Sequence, residues 1–326
     1  MRYALHKIPV FLLTLWGAIT LNFLLPRLMP GTPSEAALAK FAGMGPVSPS
    51  QLRAIQATLG VPHGSLISQY GQYLNDIAHG RFGISYTYFP EPVSKLIIQA
   101  LPWTLALVGT VTILAFIIGT LFGVLAAWRR NKLFDTFATV SCTFSSAFPY
   151  FWTGLLFLFV FGFVLGWFPI KGGYGASMSP NMSFSFFGNA IYHSLLPAGT
   201  LLVSGMGGWL LGMRNNMIPT LGEDYVIFAE ANGLPSRKIA LRYAARNAIL
   251  PNLTGFGMAL GFVVSGSILT EVVFSYPGVG FLLYNAVINN DYPLMQALFL
   301  IITITVLVAN FLVDLLYGWL DPRVRR

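Results

Sequence analysis

The chain has 326 residues, of which 55% are hydrophobic and 9% charged, whereas a soluble domain carries about 25% charged residues. Several uncharged runs exceed 20 residues, so the polypeptide belongs in a bilayer and is divided by counting spans. The formal charge of +8 comes with no basic stripe interleaved with aromatics, so the cations are read as borders of membrane segments and not as a nucleic-acid surface. The single cysteine, Cys142, rules out an intrachain disulfide, and the four histidines (His6, His63, His79, His193) have no metal-ligand spacing.

Arg2 and Lys7 precede an apolar run from Ile8 to Leu25. It is long for a secretory leader and no A-x-A site follows directly after it, so it reads as a retained first helix. Span 1 ends by Leu28, with Pro26 and then Pro30-Gly31-Thr32-Pro33 breaking it. Residues 29–97 are polar and mixed in charge and read as a small extramembrane insert. It is expected to hold two short helices, Gln51–Leu59 and Leu66–Ala78, the second carrying Leu66, Tyr70, Tyr73, Leu74 and Ile77 near helical spacing.

The remaining chain, 98–326, reads as a membrane core with five further spans. These are Leu101–Trp128, Phe134–Trp167 with Pro149 kinking or splitting it, Ile191–Met213, Leu253–Phe274 as one helix, and Leu294–Leu316. A turn-rich loop is expected from Lys171 through Asn189, and another loop holds Pro277-Gly278-Val279-Gly280 and Asp291-Tyr292-Pro293. Six spans put both termini on one side. With that side cytoplasmic, the inner segments hold Arg2, Lys7, Arg129, Arg130, Lys132, Arg214, Arg237, Lys238, Arg242, Arg246, Arg323, Arg325 and Arg326, thirteen of the 19 Lys and Arg, as the positive-inside rule requires.

No constellation for catalysis stands out. Phosphate-loop, G-x-S-x-G, H-E-x-x-H and C-x-x-C patterns are missing from the sequence. Gly205, Gly207, Gly208 and Gly212, and Gly255, Gly257, Gly261, Ser265, Gly266 and Ser267, read as close-packing surface that can also line a path. Glu271 and Asp314 are taken as the candidates for intramembrane charge; they fall near the outer and inner span ends and read as interfacial structural groups. That argues against an ion-coupled carrier.

The polar, basic segment 218–251 is the exception among the apolar runs. Thr220-Leu221-Gly222-Glu223 has capping-box spacing. A helix is expected to follow and to stop at Gly233, with Tyr225, Val226, Ile227, Phe228, Ala229 and Ala231 making it apolar nearly all round. Being too short to stand alone in water, it needs a partner surface. Pro235 opens a second helix bearing Arg237, Lys238, Arg242 and Arg246. From these residues alone, a protein groove and anionic lipid are equally good acceptors.

Asp224-Tyr225-Val226, Ala229-x-Ala231-x-Gly233-Leu234 and Leu241-Arg242-Tyr243-Ala244-x-Arg246-Asn247-Ala248-Ile249-x-Pro251 resemble the cytoplasmic EAA-type loop of ABC-importer permeases, B-type subunits of the dipeptide/oligopeptide/nickel branch. Arg27–Pro33, Gly80–Ser85, Glu271–Gly280, Asp291-Tyr292-Pro293 and Asp314–Arg323 agree in order along the chain. The resemblance implies an all-α, six-helix type I importer permease in a bacterial or archaeal plasma membrane. Its partners would be a second, homologous permease, two cytoplasmic ATPase subunits that bind ATP and Mg, an extracytoplasmic solute-binding protein and membrane lipid, with no nucleic acid. The chain itself would be no enzyme and hold no cofactor or metal. Tyr225, Phe228, Ala229, Glu230, Ala231, Gly233 and Leu234 would couple to the ATPase, with Arg237, Arg242, Arg246 and Asn247 as support. The family's Glu and first Ala slots are occupied by Ile227 and Phe228, so a Glu-mediated contact is not expected. The substrate stays open among peptides, oligosaccharides and nickel complexes. An ion-coupled carrier and a lipid-bound scaffold remain the readings from other classes.

Overall fold

A computed structural model describes residues 2–28 and 64–320, and side chains within 8–25, 27–28 and 64–313. The expected helix Gln51–Leu59, the Asp314 side chain and the C-terminal cations lie outside these. The described residues are helical, with one isolated bridge, Ile84 to Pro92. The helices are α1 (Arg2–Leu28), α2 (Leu66–Ala78), α3 (Val93–Trp128), α4 (Leu133–Ala147), α5 (Tyr150–Val164), α6 (Phe184–Thr220), α7 (Asp224–Ala231), α8 (Ser236–Ala248), α9 (Leu250–Ser265), α10 (Ile268–Val273), α11 (Val279–Ile288) and α12 (Tyr292–Leu320). Four are long and apolar enough to cross a membrane, and up to six spans result if the bent pairs α4–α5 and α8–α9 each count as one.

The run 134–167 is split at Pro149, as expected: two helices meet at 96°, with Phe148 extended and Pro149 capping α5. Three expected boundaries are corrected. The helix 253–274 is interrupted: α9 ends in a turn of tighter winding, and Gly266 (φ +71°) turns the chain before α10 begins. The loop expected through Asn189 ends sooner, because Ser183 accepts a hydrogen bond from the Phe186 amide and starts α6. The segment 276–293, expected as loop, contains α11.

The chain forms two compact units, Met1–Trp103 with Pro277–Arg326, and Thr104–Tyr276. In the first, α2 packs on α1 through the expected aromatics. Tyr70 shares a hydrogen bond with Thr20 (2.7 Å), and Asn22 donates to the Tyr73 hydroxyl (3.0 Å) and the Gln296 carbonyl (2.9 Å). Burial pushes the Tyr73 phenol up to about 12, so it stays a neutral hydroxyl. Arg27 lies 3.6 Å over the Phe23 ring and donates to Gln69. Leu66 and Leu74, expected on the same stripe, stay exposed. Val93, Ile97 and Ala100 pack with Val279, Leu283, Ala286, Leu294 and Leu298 in the unit's core. Asp291 ties this core to the segment before α3: it accepts from the Ser85 hydroxyl, from the Thr87 amide (2.8 Å) and from the Leu294 amide (3.3 Å), and is fully buried.

In the second unit, α3 and α6 approach closely at Gly119 and Gly123. A Cβ on Gly123 would stand 2.6 Å from the Leu210 carbonyl, and one on Gly119 2.7 Å from the Met206 carbonyl. These two glycines were not singled out in the sequence. Of those that were, Gly207, Gly212 and Gly255 pack tightly, while Gly205 and Gly208 have room for a side chain. Glu271, expected at an interface, is fully buried, accepts from Thr104 Oγ1 (2.9 Å), and lies under Gly266, whose Cβ position is 2.9 Å from Glu271 Oε1. The aromatics of α5 face outward: Trp152, Phe159 and Phe163 are exposed, as lipid-facing residues are.

Candidate functional site

The segment that joins α6 to α9 is built from tight turns. Thr220 ends α6, with its hydroxyl donating back to Asn216 O. It is therefore not the cap of α7. The Gly222 and Glu223 amides donate to Pro219 O and Thr220 O, and extended Glu223 leads into α7 without a side-chain cap. Asp224 in the first turn suits the positive helix end. The helix stops at a Schellman motif: the Leu234 amide donates to Ala229 O (3.3 Å) and the Gly233 amide to Glu230 O (2.9 Å), with Gly233 at φ +71°. No atom lies near a Cβ added at Gly233, so Gly233→Ala isolates the left-handed strain. We expect it to destabilise the end of α7 by about 1 kcal/mol, seen as roughly fivefold faster amide exchange over residues 229–234 with exchange in α6 unchanged.

The helix has two unlike faces. Val226 and Ala229 are buried against Met213 and Met217 of α6, Ala127 of α3, and Ile239, Ala240, Ala244, Ala245 and Ala248 of α8. Alanines on α8 let the helices come close. A π turn at Ile239–Ala244 lies in the middle of α8, which a plain amphipathic helix did not anticipate. The outward face presents Tyr225, Ile227, Phe228, Glu230 and Ala231, with Phe228 72% exposed.

Of the residues expected to couple, Tyr225, Phe228, Glu230, Ala231 and Gly233 thus lie outward; Ala229 points into the chain's own core and Leu234 is half-buried beside it. Ile227, read from the sequence as part of the apolar surface and as filling a slot usually held by Glu but not as a coupling residue, belongs to the outward face. Among the supporting residues, Asn247 Nδ2 donates to the Tyr225 hydroxyl (2.8 Å), bridging α8 and α7. Arg237, Arg242 and Arg246 are exposed along α8. The assembly is a short apolar ridge held rigidly from behind, which can seat in a groove.

A family described as the inner membrane component of binding-protein-dependent transport systems matches residues 119–326, which include the whole of this site. The chain belongs to that family. It is thus a membrane permease subunit of a transport system, and multi-pass, in keeping with its apolar helices. The permease is 33% identical over 326 residues to the oligopeptide transport system permease protein AppB of Bacillus subtilis, spanning 99% of this chain and 98% of that one. It is 32% identical over 338 residues to the di/tripeptide transport system permease protein DppB of Pseudomonas aeruginosa, and 30% over 341 residues to the dipeptide transport system permease protein DppB of Escherichia coli, each spanning 100% of this chain and 99% of the relative.

Proposed function

We propose that this permease forms half of the translocation path of an ATP-driven peptide importer, and that α7 is the helix through which a cytoplasmic ATPase drives it. The observation that carries the reading is the pair of faces on α7: an apolar outer ridge, Tyr225–Ile227–Phe228, backed by a packed inner face. Exposed apolar groups at the end of a membrane helix are stabilised by burial in a partner, and a helix fixed from behind transmits force. Peptides are the substrate class because the relatives, alike over their full lengths, are named for peptides.

On this reading α7 and both termini are cytoplasmic, since that side collects most of the cations. The membrane is the plasma, or inner, membrane. Residues 29–97 form an extracytoplasmic insert that, with 276–293, meets a solute-binding protein. A second, homologous permease completes the path. ATP and Mg reside in two ATPase subunits, and this chain has no catalytic role.

Ala231→Glu tests the proposal. The charge leaves α7 soluble and helical but would be unpaired in a closed groove, at a cost on the order of 3 kcal/mol, or about a hundredfold in ATPase affinity. Uptake by the reconstituted complex should fall by at least tenfold, with ATPase subunits lost on purification and any hydrolysis that remains no longer driving transport. Normal uptake would remove the docking role. Gradient-driven uptake by this chain alone in liposomes would instead favour a carrier.

A further inference from the structure

Arg214 and Asp135 form a forked ion pair between α6 and α4. Arg214 lies on α6, six residues before its end; Asp135 lies in the first turn of α4. The guanidinium gives one bond from Nε to Asp135 Oδ1 and one from Nη2 to Oδ2 (2.9 Å), and the Asp135 side chain is 4% exposed. The same carboxylate accepts from the Asn131 amide (2.9 Å), in the turn between α3 and α4 where Asn131 has φ +63°, and from Thr139 Oγ1 (3.3 Å). One buried carboxylate therefore fastens the start of α4, the turn that precedes it, and α6.

Its position gives this pair more than a structural meaning. From Arg214 to the end of α6 is about 9 Å of helix, and α7 follows after three turn residues. Force on α7 enters α6 and α3 through the broad cluster of Val226, Ala229, Met213, Met217 and Ala127. Its route into α4 runs through apolar packing alone: Ala138, Cys142 and Leu210 with Phe134 and Leu211 beside them, the close approach at Gly207, and Phe122 of α3 edge-on to Phe134, and such contacts let helices slide along one another. Yet α4 leads straight into the 96° break before α5. The forked pair is the directional link between the two: a bidentate guanidinium–carboxylate contact fixes orientation as well as distance.

We propose that Asp135 and Arg214 are positioning residues of the transport stroke, making α4 move with α6 and α7 as one block, so that displacement of α7 reaches the α4–α5 break. The inference rests on the reading of α7 as the docking helix. Two experiments on the assembled, reconstituted complex test it apart from that reading.

In the first, Gly207→Cys is combined with Ser146→Ala. A Cβ at 207 stands 3.3 Å from Cys142 Cβ, with Ser146 Oγ the nearest obstruction at 2.7 Å, close to disulfide geometry after a small relaxation. Cys142 is the chain's only other thiol. If α4 and α6 move as one block, oxidation leaves at least half of uptake. Uptake lost on oxidation and regained with reductant means that the helices slide in the stroke and overturns the proposal, as does failure of the disulfide to form. In the second, Asp135→Asn keeps ATP hydrolysis within about twofold and lowers uptake at least tenfold. Cross-linking 142 to 207 in that background restores uptake, reversibly with reductant. Intact uptake in the uncross-linked variant overturns the proposal. Should Asp135→Asn fail to assemble, Arg214→Lys, which keeps the charge and gives up the fork, is read the same way. Ala231→Glu, scored by retention of the ATPase subunits, separates failure of docking from failure of transmission.

Discussion

Gly123→Leu should yield no folded permease, and Gly123→Ala should melt well below the parent. A Cβ at this position would lie 2.6 Å from Leu210 O and 2.7 Å from Met213 Cβ, and the Gly119 position meets Trp209 Cβ at 2.7 Å. Most of these neighbours are backbone or first side-chain atoms, so no rotamer change relieves the clash; α3 and α6 must separate. Helices in lipid gain their association from close packing, which is why small residues four apart mark such contacts. Overpacking costs about 1–3 kcal/mol even where the surroundings adapt, and here alanine should fall at the upper end. Thermal aggregation of the detergent-purified protein measures it. A Gly208→Ala control, at a position with open space, should melt like the parent. Equal midpoints for Gly123→Ala and Gly208→Ala would show that the helices do not approach as described.

The second large effect is expected at Asp291. Asp291→Ala removes the acceptor of three hydrogen bonds in the first unit and leaves the Ser85 hydroxyl and the Thr87 amide without it. Burying a polar group without its partner costs about 1–3 kcal/mol, and loss of the α12 cap adds about 1 kcal/mol. With two such groups the sum, about 3–7 kcal/mol, should release the segment 81–92 from α12. Limited proteolysis should then cut at Arg81 at least tenfold faster, while Asp291→Asn, which keeps an acceptor oxygen, should be cut at an intermediate rate. Cleavage at the parent's rate in Asp291→Ala would mean that the segment is held by other contacts.

The parts of this molecule that were readable in the sequence are those governed by local rules. Long uncharged runs mark most spans, Gly233 marks the end of α7, and Ser65 and His79 bound α2 where composition placed it. What was not readable depends on neighbours distant in sequence. Gly119 and Gly123 look like any glycines in an apolar run until α6 lies across them. The turn at Gly266 needed Glu271 and Thr104 folded beneath it, which no periodicity records. The site divides the same way. Its apolar character was plain, but the split into an inner and an outer face was not, because a helix apolar all round has no preferred orientation until α6 and α8 choose one. That is how Ala229 turned inward and Ile227 outward. Asp135 and Arg214, 79 positions apart, were visible only as charges at helix ends.

The length of α6 sets how the permease can move. Its 37 residues extend about 55 Å, against a hydrocarbon thickness of about 30 Å. A helix cut to that thickness drags its polar ends into hydrocarbon, or pulls the bilayer in around it, each time it leans over. One with a surplus of roughly 25 Å only exchanges a few residues between core and headgroup layer, because a lean of about 30° lengthens its immersed part by about 5 Å. The overhang therefore makes tilting nearly free of mismatch energy; in the stroke proposed above, the bilayer would not oppose the swing of the helix that carries α7, whatever the membrane's thickness.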